Sequence, residues 1–329
     1  MTMQRISSHG RSRRNAIVAA VLGLASTFAL AAFPDAGRPI KILVPWPAGG
    51  ATDQVGRMLA QPLSAALGVP VVVENRGGAG GVIGTQLFVK EKPDGHTILL
   101  ATSSTNAAAP HLYAKLGYDA YNDFTPVTSL CEIPNVMVVP AKSPWNSLQD
   151  VVAAAKKEPG KYTYGSAGIG GSQHLAGAQF KTAAGVDVRH VPYKGSGPAA
   201  QDLIAGHIDM MIDTGSLGSI RGKLLKPLAV ASSRRLPALP DVPTFAEAGT
   251  PMLASAWYGL MLPANAPKDV VTRLNTEVNK ILKTPEIQQK LVSMGAIVLG
   301  STPEEFGKFN AAEIKRYEAI VRDSGAPKE

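Results

Sequence analysis

Ile40-Lys41-Ile42-Leu43-Val44 runs without a break into Pro45-Trp46-Pro47-Ala48-Gly49-Gly50 and then Ala51-Thr52-Asp53, and this stretch decides how the chain is read. The apolar run has the character of a buried strand. Beyond the loop, Val55, Met58, Leu59 and Leu63 recur at helical spacing, so the pattern is strand, tight loop, helix. Pro45 and Pro47 stiffen the loop, while Gly49 and Gly50 let a ligand approach bare backbone. The first N–H groups of the helix have no partner within it, so a carboxylate or phosphate fits in front of them. The same residues also suit an ordinary α/β turn in which Thr52 or Asp53 is merely an N-cap.

The rest of the chain repeats the alternation of strand and helix. Strands are expected at 69–75, 96–101, 125–130, 136–139, 161–166, 187–191, 208–213, 226–231, 257–262 and 296–299. Helices are expected at 82–90, from 145–150 to about 157, and at 173–184, 199–205, 270–282, 285–294 and 304–323. Two later loops repeat the opening device. Ala167-Gly168-Ile169-Gly170-Gly171-Ser172 follows one strand, with Ser166 and Ser172 offering hydroxyls, and Pro192-Tyr193-Lys194-Gly195-Ser196-Gly197-Pro198 follows the next. Two such helix starts facing one cleft from different domains would hold a carboxylate from both sides. Thr102-Ser103-Ser104-Thr105-Asn106 places polar side chains at a strand's carboxyl end, where ligands sit in open α/β sheets.

A chain of 329 residues has room for two domains. Arg5, Arg11, Arg13 and Arg14 precede an apolar stretch from Ala16 to Ala29, and Ala29-Leu30-Ala31 has the form of a cleavage site. Residues 1–31 therefore read as a secretory signal peptide, and the mature protein as periplasmic. Ser12-Arg13-Arg14 leaves twin-arginine export as the alternative to the general route. Losing four arginines and no acids lowers the formal charge from +8 to +4. With no basic block or aromatic-basic interleaving left, nucleic acid is not an expected partner. Cys131 stands alone, which excludes an internal disulfide and any cysteine-based metal cluster.

Catalytic motifs are absent. Tyr164 and Lys194 occupy the positions that a first glycine would need around Ser166 and Ser196, so neither serine sits in G-x-S-x-G. No H-E-x-x-H occurs, and with Gly78 and Gly80 as the first two glycines a dinucleotide fingerprint would need a third where Ile83 stands. His174, just inside a helix that follows a glycine loop, is the histidine nearest a candidate site. No enzyme activity, cofactor or metal is expected.

Taken together, the loops resemble the landmarks of the Bug-type periplasmic receptors, the solute-binding proteins of tripartite tricarboxylate transporters. Residues 45–53 resemble that family's P-F-P-A-G-G-x-x-D loop, with Trp46 where phenylalanine is usual. Glu74-Asn75-Arg76-Gly77-Gly78-Ala79-Gly80-Gly81, Pro93-Asp94-Gly95-His96-Thr97, Tyr164-Gly165-Ser166-Ala167-Gly168 and Val191-Pro192-Tyr193-Lys194-Gly195 are similar to its other landmarks, in order along the mature chain. Gly77 stands where that family often has proline.

The resemblance implies an α/β, two-lobed periplasmic-binding-protein (Venus flytrap) fold: two mixed sheets flanked by helices, with crossing hinge strands. Lobe 1 is expected to hold residues 32–137 and 257–329, and lobe 2 residues 138–256. Carried over by position, the ligand-binding residues are Trp46, Ala48, Gly49 and Gly50, with Asp53 shaping the first loop, and Ser166, Ala167 and Gly168 with His174 near the second. Thr102, Ser103 and Ser104, then Lys194, Gly195 and Ser196, then Asp213 and Thr214, complete the set. The implied ligand is a small carboxylate: a dicarboxylate, a tricarboxylate, an aromatic acid or an acidic amino acid. The implied partner is a membrane permease, with a sensor kinase as alternative, and the receptor is expected to be a monomer. A secreted α/β enzyme is the competing reading from another class. Asp53 is expected to accept bonds from loop N–H groups and fix the loop, because a bare carboxylate would repel an anionic ligand.

Overall fold

A computed structural model describes residues 33–324 together with Ala326 and Lys328. The expected signal peptide lies outside these residues. Strand β1 (Ile40–Val44) pairs in parallel with β2 (Val71–Asn75) and with β3 (Thr97–Thr102). Parallel strands are covered on both faces, which is why this run is apolar rather than alternating. Ile40, Ile42 and Val44 face one core with Val55, Leu59 and Leu63 of helix α1 (Ala51–Leu67). Leu43 faces the opposite core, with Leu99, Phe88 and Leu112.

The first sheet has the order β11-β4-β10-β3-β1-β2, where β4 is Phe124–Pro134, β10 is Ser255–Pro263 and β11 is Ile297–Val298. Helices α2 (Val82–Phe88), α3 (Ala109–Leu112), α8 (Lys268–Leu282), α9 (Pro285–Ser293) and α10 (Pro303–Asp323) belong to the same lobe. The second sheet has the order β7-β6-β8-β5-β9, built from β5 (Val136–Pro140), β6 (Thr163–Ser166), β7 (Arg189–Pro192), β8 (Met210–Asp213) and β9 (Leu225–Val230). Its helices are α4 (Leu148–Lys157), α5 (Ser172–Ala184), α6 (Ser196–Ala205) and α7 (Leu217–Arg221). Each sheet mixes parallel and antiparallel pairs, as expected.

The chain changes sheets at Asn135, before the expected boundary at 137/138. Val136 and Met137 already pair with Asp213 and Ile212 of β8 and with Val230 and Ala229 of β9. The return is also earlier than 257, since Ser255 pairs with Pro134. Asn135 is fully buried and ties the two crossings together. Its N–H donates to Ala254 O at 2.9 Å, its carbonyl accepts from Ala231 N–H at 2.8 Å, and its Nδ2 donates to Ile212 O at 2.8 Å. A register difference of two residues is invisible in a run of apolar residues, because nothing in Val136-Met137-Val138-Val139 distinguishes one sheet from another.

Two elements depart from the expected pattern. The polar run after β3 is helical: Ser104–Ala108 forms a wide helical turn that continues into α3, with Thr105 and Asn106 fully buried. Thr105 Oγ1 donates to Asn106 Oδ1 at 2.7 Å, and Tyr118 Oη donates to Thr105 O at 2.6 Å, so the buried polar groups satisfy one another. Helix α7 follows Ser216 in a stretch where no helix was expected.

Candidate functional site

The loop after β1 is held from behind. Asp53 is 5 % exposed, and its carboxylate accepts from Gly49 N–H at 3.0 Å, from Arg57 Nε at 2.9 Å and from Asn75 Nδ2 at 3.0 Å. Asn75 Nδ2 also donates to Trp46 O at 3.0 Å. Burial alone would raise the Asp53 pKa, but the bonds from Arg57, Gly49 and Asn75 outweigh it and hold the carboxyl below its ordinary value. Asp53 is thus turned into the loop and clamps it, with its charge already taken up by donors.

Four helices follow an N-cap glycine and carry no side-chain cap: α1 after Gly50, α2 after Gly81, α5 after Gly171 and α6 after Gly195. Two other helices do carry side-chain caps. Ser147 with Asp150 closes the start of α4, and Thr302 with Glu305 closes α10, each as a full capping box. Three of these starts, those of α1, α5 and α6, meet at one cavity between the lobes. It is lined by Gly50, Ala51 and Thr52 of the first, Ser172 and Gln173 of the second, and Gly195 and Ser196 of the third. Trp46, Pro47, Thr102, Ser104, Ala167, Thr214, Ala256 and Tyr258 complete the wall, which contains no lysine or arginine.

The lobes touch around this cavity. A carbon placed on Gly50 would lie 3.5 Å from Ser196 Oγ, and one on Gly195 would lie 3.2 Å from Pro47 Cγ. Trp46 reaches across the cleft, so that a carbon on Gly171 would lie 3.7 Å from its Cη2. The cavity encloses about 420 Å³, mouth included, but the centres of water-sized molecules can occupy only about 30 Å³ of it. That is room for a head group, not for a bulky body.

Gln173 and Asp213 set the polar side of the cavity. Gln173 Nε2 donates to Asp213 Oδ1 at 2.9 Å and to Ser196 Oγ at 3.1 Å. The other Asp213 oxygen accepts from Gly215 N–H at 2.9 Å and from Ser216 Oγ at 2.6 Å, so this carboxylate is consumed in holding Gln173 and its own turn. Because the Gln173 amide fills an acceptor position of Ser196, the Ser196 proton is left to donate elsewhere. Tyr258 is buried opposite; burial pushes its phenol well above the ordinary value, with Thr214 and Thr52 in hydrogen-bonding reach.

The second glycine loop is also held from behind, by a ring stack. Ser166 Oγ lies 2.6 Å from His190 Nε2 and accepts from Gly168 N–H at 3.1 Å. His190 stacks between Tyr164, at 4.9 Å between centroids, and His174, at 4.2 Å. His174 Nδ1 accepts from Gly170 N–H at 3.2 Å. Burial lowers the pKa of His174 to about 4; burial and then the charge of His174 lower that of His190 to about 3, so both rings are neutral.

Of the residues expected from the sequence, the structure brings Trp46, Gly50, Thr102, Ser104, Ala167, Gly195, Ser196 and Thr214 to the cavity. It places Asp53, Ser166, His174 and Asp213 behind the wall as supports. Ala48 and Gly49 are exposed at the loop tip, and Ser103 is buried beside Tyr317. Gly168 and Lys194 line a second chamber next to the first. Thr52, Ser172, Gln173 and Tyr258 are wall residues outside the expected set. Thr52 and Ser172 stand at glycine-loop helix starts, and Gln173 directly follows one, which is the signal that could have found them. Tyr258 enters through its pairing with Thr102, a register that no sequence motif announces. Among the described residues no group of three or more His, Cys, Asp or Glu side chains is placed to hold a metal ion, and no helix is long and apolar enough to cross a membrane.

Two mixed sheets joined by crossing strands, with a cleft lined by helix N-termini from both lobes, define the two-lobed periplasmic-binding-protein class. Residues 55–326 match the tripartite tricarboxylate transporter family receptor, and the chain belongs to that family. It is 40% identical over 323 residues to a protein of the tcbD-tcbE intergenic region of Pseudomonas sp. strain P51, spanning 96% of this chain and 95% of that one. It is 37% identical over 314 residues to the protein BugT of Bordetella pertussis, spanning 94% and 96%. Among solved structures it resembles R. palustris Rpa4515 with adipate (34% identity, TM-score 0.85, 88% of this chain and 97% of that one). It also resembles MatC from Rhodopseudomonas palustris with bound malate (32% identity, TM-score 0.81, 86% and 99%). The family and these neighbours are periplasmic solute-binding receptors.

Proposed function

We propose that this chain is an exported receptor that closes on a carboxylate of a small organic acid and presents it to a permease of the tripartite tricarboxylate type. The observation that carries the reading is the convergence of three uncapped helix starts, at Gly50, Gly171 and Gly195, on one cavity. Each helix dipole favours an anion by roughly 0.3–1 kcal/mol, and the N–H groups at each start add hydrogen bonds to a charged acceptor. Thr52, Ser172, Ser196 and Thr214 supply hydroxyls around the same space. With no fixed cation in the wall, an anion is held only while both lobes contribute, which favours release on opening. The malate and adipate named for two relatives have the same head group. The basic start and apolar stretch of residues 1–31 support export.

A thermal-shift panel of malate, adipate, glutamate and an aromatic acid tests the clamp, because ligand at about a hundred times Kd adds roughly 2.7 kcal/mol to native stability. At least one acid is expected to raise the melting temperature and to be recovered unchanged. A panel without any shift would sink the carboxylate reading, and conversion of the bound acid would establish an enzyme instead. Delivery is tested by uptake of the bound acid in cells lacking the gene: the full chain should restore it and residues 32–329 alone should not.

A further inference from the structure

We propose that Arg221 is a latch for the closed lobes: from the end of α7 in lobe 2 it binds the last carbonyl of α9 in lobe 1, outside the ligand cavity, and so sets how tightly any ligand is held. This goes beyond the carboxylate reading, because it concerns the closing of the lobes and not what lies between them. Arg221 Nη1 donates to Ser293 O at 2.7 Å. The two residues belong to different lobes, so a rotation about the crossings at Asn135 and Ser255 makes or breaks this bond. Arg221 is absent from the cavity wall and acts as a positioning residue.

Ser293 is placed to need such a donor. The last carbonyls of a helix have no partner within it. At the end of α9, Met294 N–H donates to Lys290 O at 3.2 Å and to Leu291 O at 3.0 Å, Ala296 N–H donates to Leu291 O at 2.9 Å, and Gly295 N–H donates to Val292 O at 2.9 Å. The Ser293 carbonyl is left over by these bonds and takes its hydrogen from the guanidinium, and a cation there also complements the negative end of the helix dipole. Leu217 precedes Arg221 by one turn and shares its face of α7. It meets the same turn of lobe 1: a carbon on Gly295, where φ is +76°, would lie 3.3 Å from Leu217 Cδ2 and 3.3 Å from Leu236 Cδ1. Gly295 therefore seats lobe 1 directly on two buried leucines of lobe 2.

Helix α7 ties this contact to the cavity. It starts directly after Ser216, whose hydroxyl donates to Asp213 at 2.6 Å, and Asp213 in turn holds Gln173 in the cavity wall. Thr214, just before the helix, faces the cavity itself. The chain from Thr214 to Arg221 thus runs from the ligand's wall to the opposite lobe. Beside the latch the seam is open: a crevice of about 890 Å³, mouth included, lies between Ala238 of lobe 2 and Pro285, Gln288 and Val292 of lobe 1. Because the walls stand apart there, the Arg221 bond weighs in the balance between open and closed lobes.

Calorimetry and stopped-flow binding of malate and adipate to wild type, Arg221→Ala and Arg221→Lys test the latch, with X-ray scattering of the ligand-free proteins alongside. Arg221→Ala should raise Kd for both acids by the same factor, about two- to fivefold, the range for an exposed charge at a helix end. The rise should lie in the dissociation rate, because closing follows encounter. Arg221→Lys keeps a donor and the charge and should recover most of the loss. Without ligand, Arg221→Glu sets a negative charge against the carbonyl and should scatter as a wider molecule than wild type. An unchanged Kd, a tighter one, or a loss confined to one acid would overturn the latch, as would identical scattering of wild type and Arg221→Glu. Binding of neither acid to wild type would count against the carboxylate reading instead, and the scattering comparison would still decide the latch. Arg221 is exposed, so its variants should melt close to wild type, which separates a loosened seam from a damaged fold.

Discussion

Replacing Asp53 tests the idea that a buried charge can serve an anion site by facing away from it. Asp53→Ala removes the acceptor of Gly49 N–H, of Asn75 Nδ2 and of Arg57 Nε. Hydrogen bonds to a charged group contribute about 1.5–3 kcal/mol each when buried. Arg57 is 56% exposed, so its share is at most about 1 kcal/mol. Gly49 sits at an exposed loop tip and can turn to water, which leaves the Asn75 amide as the main loss. The expected destabilisation is therefore about 2–4 kcal/mol for Asp53→Ala and about 1–2 kcal/mol for Asp53→Asn, which keeps one acceptor oxygen. Urea denaturation measures it. Because the folded pKa lies below the unfolded value of 3.8, the contribution is complete above that value and is lost as pH falls through the folded pKa. The gap between wild type and Asp53→Asn should thus narrow at pH 3. Binding should weaken for every carboxylate alike, since the loop that carries the α1 start loses its clamp. Unchanged stability with a selective loss for glutamate would refute the reasoning, because it would place Asp53 against a ligand amine.

Three further outcomes are expected. Gln173→Ala leaves Asp213 Oδ1 and Ser196 Oγ without their donor; it should cost about 1–3 kcal/mol in urea unfolding and weaken carboxylate binding measured by calorimetry. Gly177→Ala places a carbon 2.1 Å from the Tyr164 ring, so the ring must shift from its stack on His190. A loss of about 1–3 kcal/mol and a looser second loop should follow, seen as a lower melting temperature and higher Kd. His174 and His190 stay neutral in the folded state down to about 4 and about 3, while the unfolded chain takes up protons from about 6.5. The unfolded state binds more protons across that window, so stability should fall with pH below about 6.5, and His190→Gln should flatten the profile in a urea series from pH 7 to pH 4.

Much of the fold could be read locally. Ile40 to Val44 is apolar throughout because a parallel strand is buried on both faces, and the glycine loops stood out because only bare backbone suits a close approach at a helix start. What the loops do to one another could not be read locally. Nothing in Val136-Met137-Val138-Val139 says that these residues pair with β8 and β9, which moved the crossing to Asn135. The polar run from Thr102 to Asn106 reads as a ligand-facing strand end, yet Thr105 and Asn106 are buried because each finds its partner inside the lobe.

By itself the sequence pointed to the class of chemistry: glycine loops between strands and helices, a lone cysteine and no recognised catalytic motif, each legible because it depends on residue type and spacing within a few positions. Only the tertiary structure decided which groups face the ligand. Asp53 and Asp213 look like site residues by position, but Asp53 is turned onto Gly49 N–H, Asn75 and Arg57, and Asp213 onto Gln173, Gly215 N–H and Ser216. Thr52, Gln173 and Tyr258 reach the cavity instead, from α1, α5 and β10. The physical reason is that orientation is set by the partner on the far side of each residue, and those partners are distant along the chain, Gln173 for Asp213 and Thr102 for Tyr258.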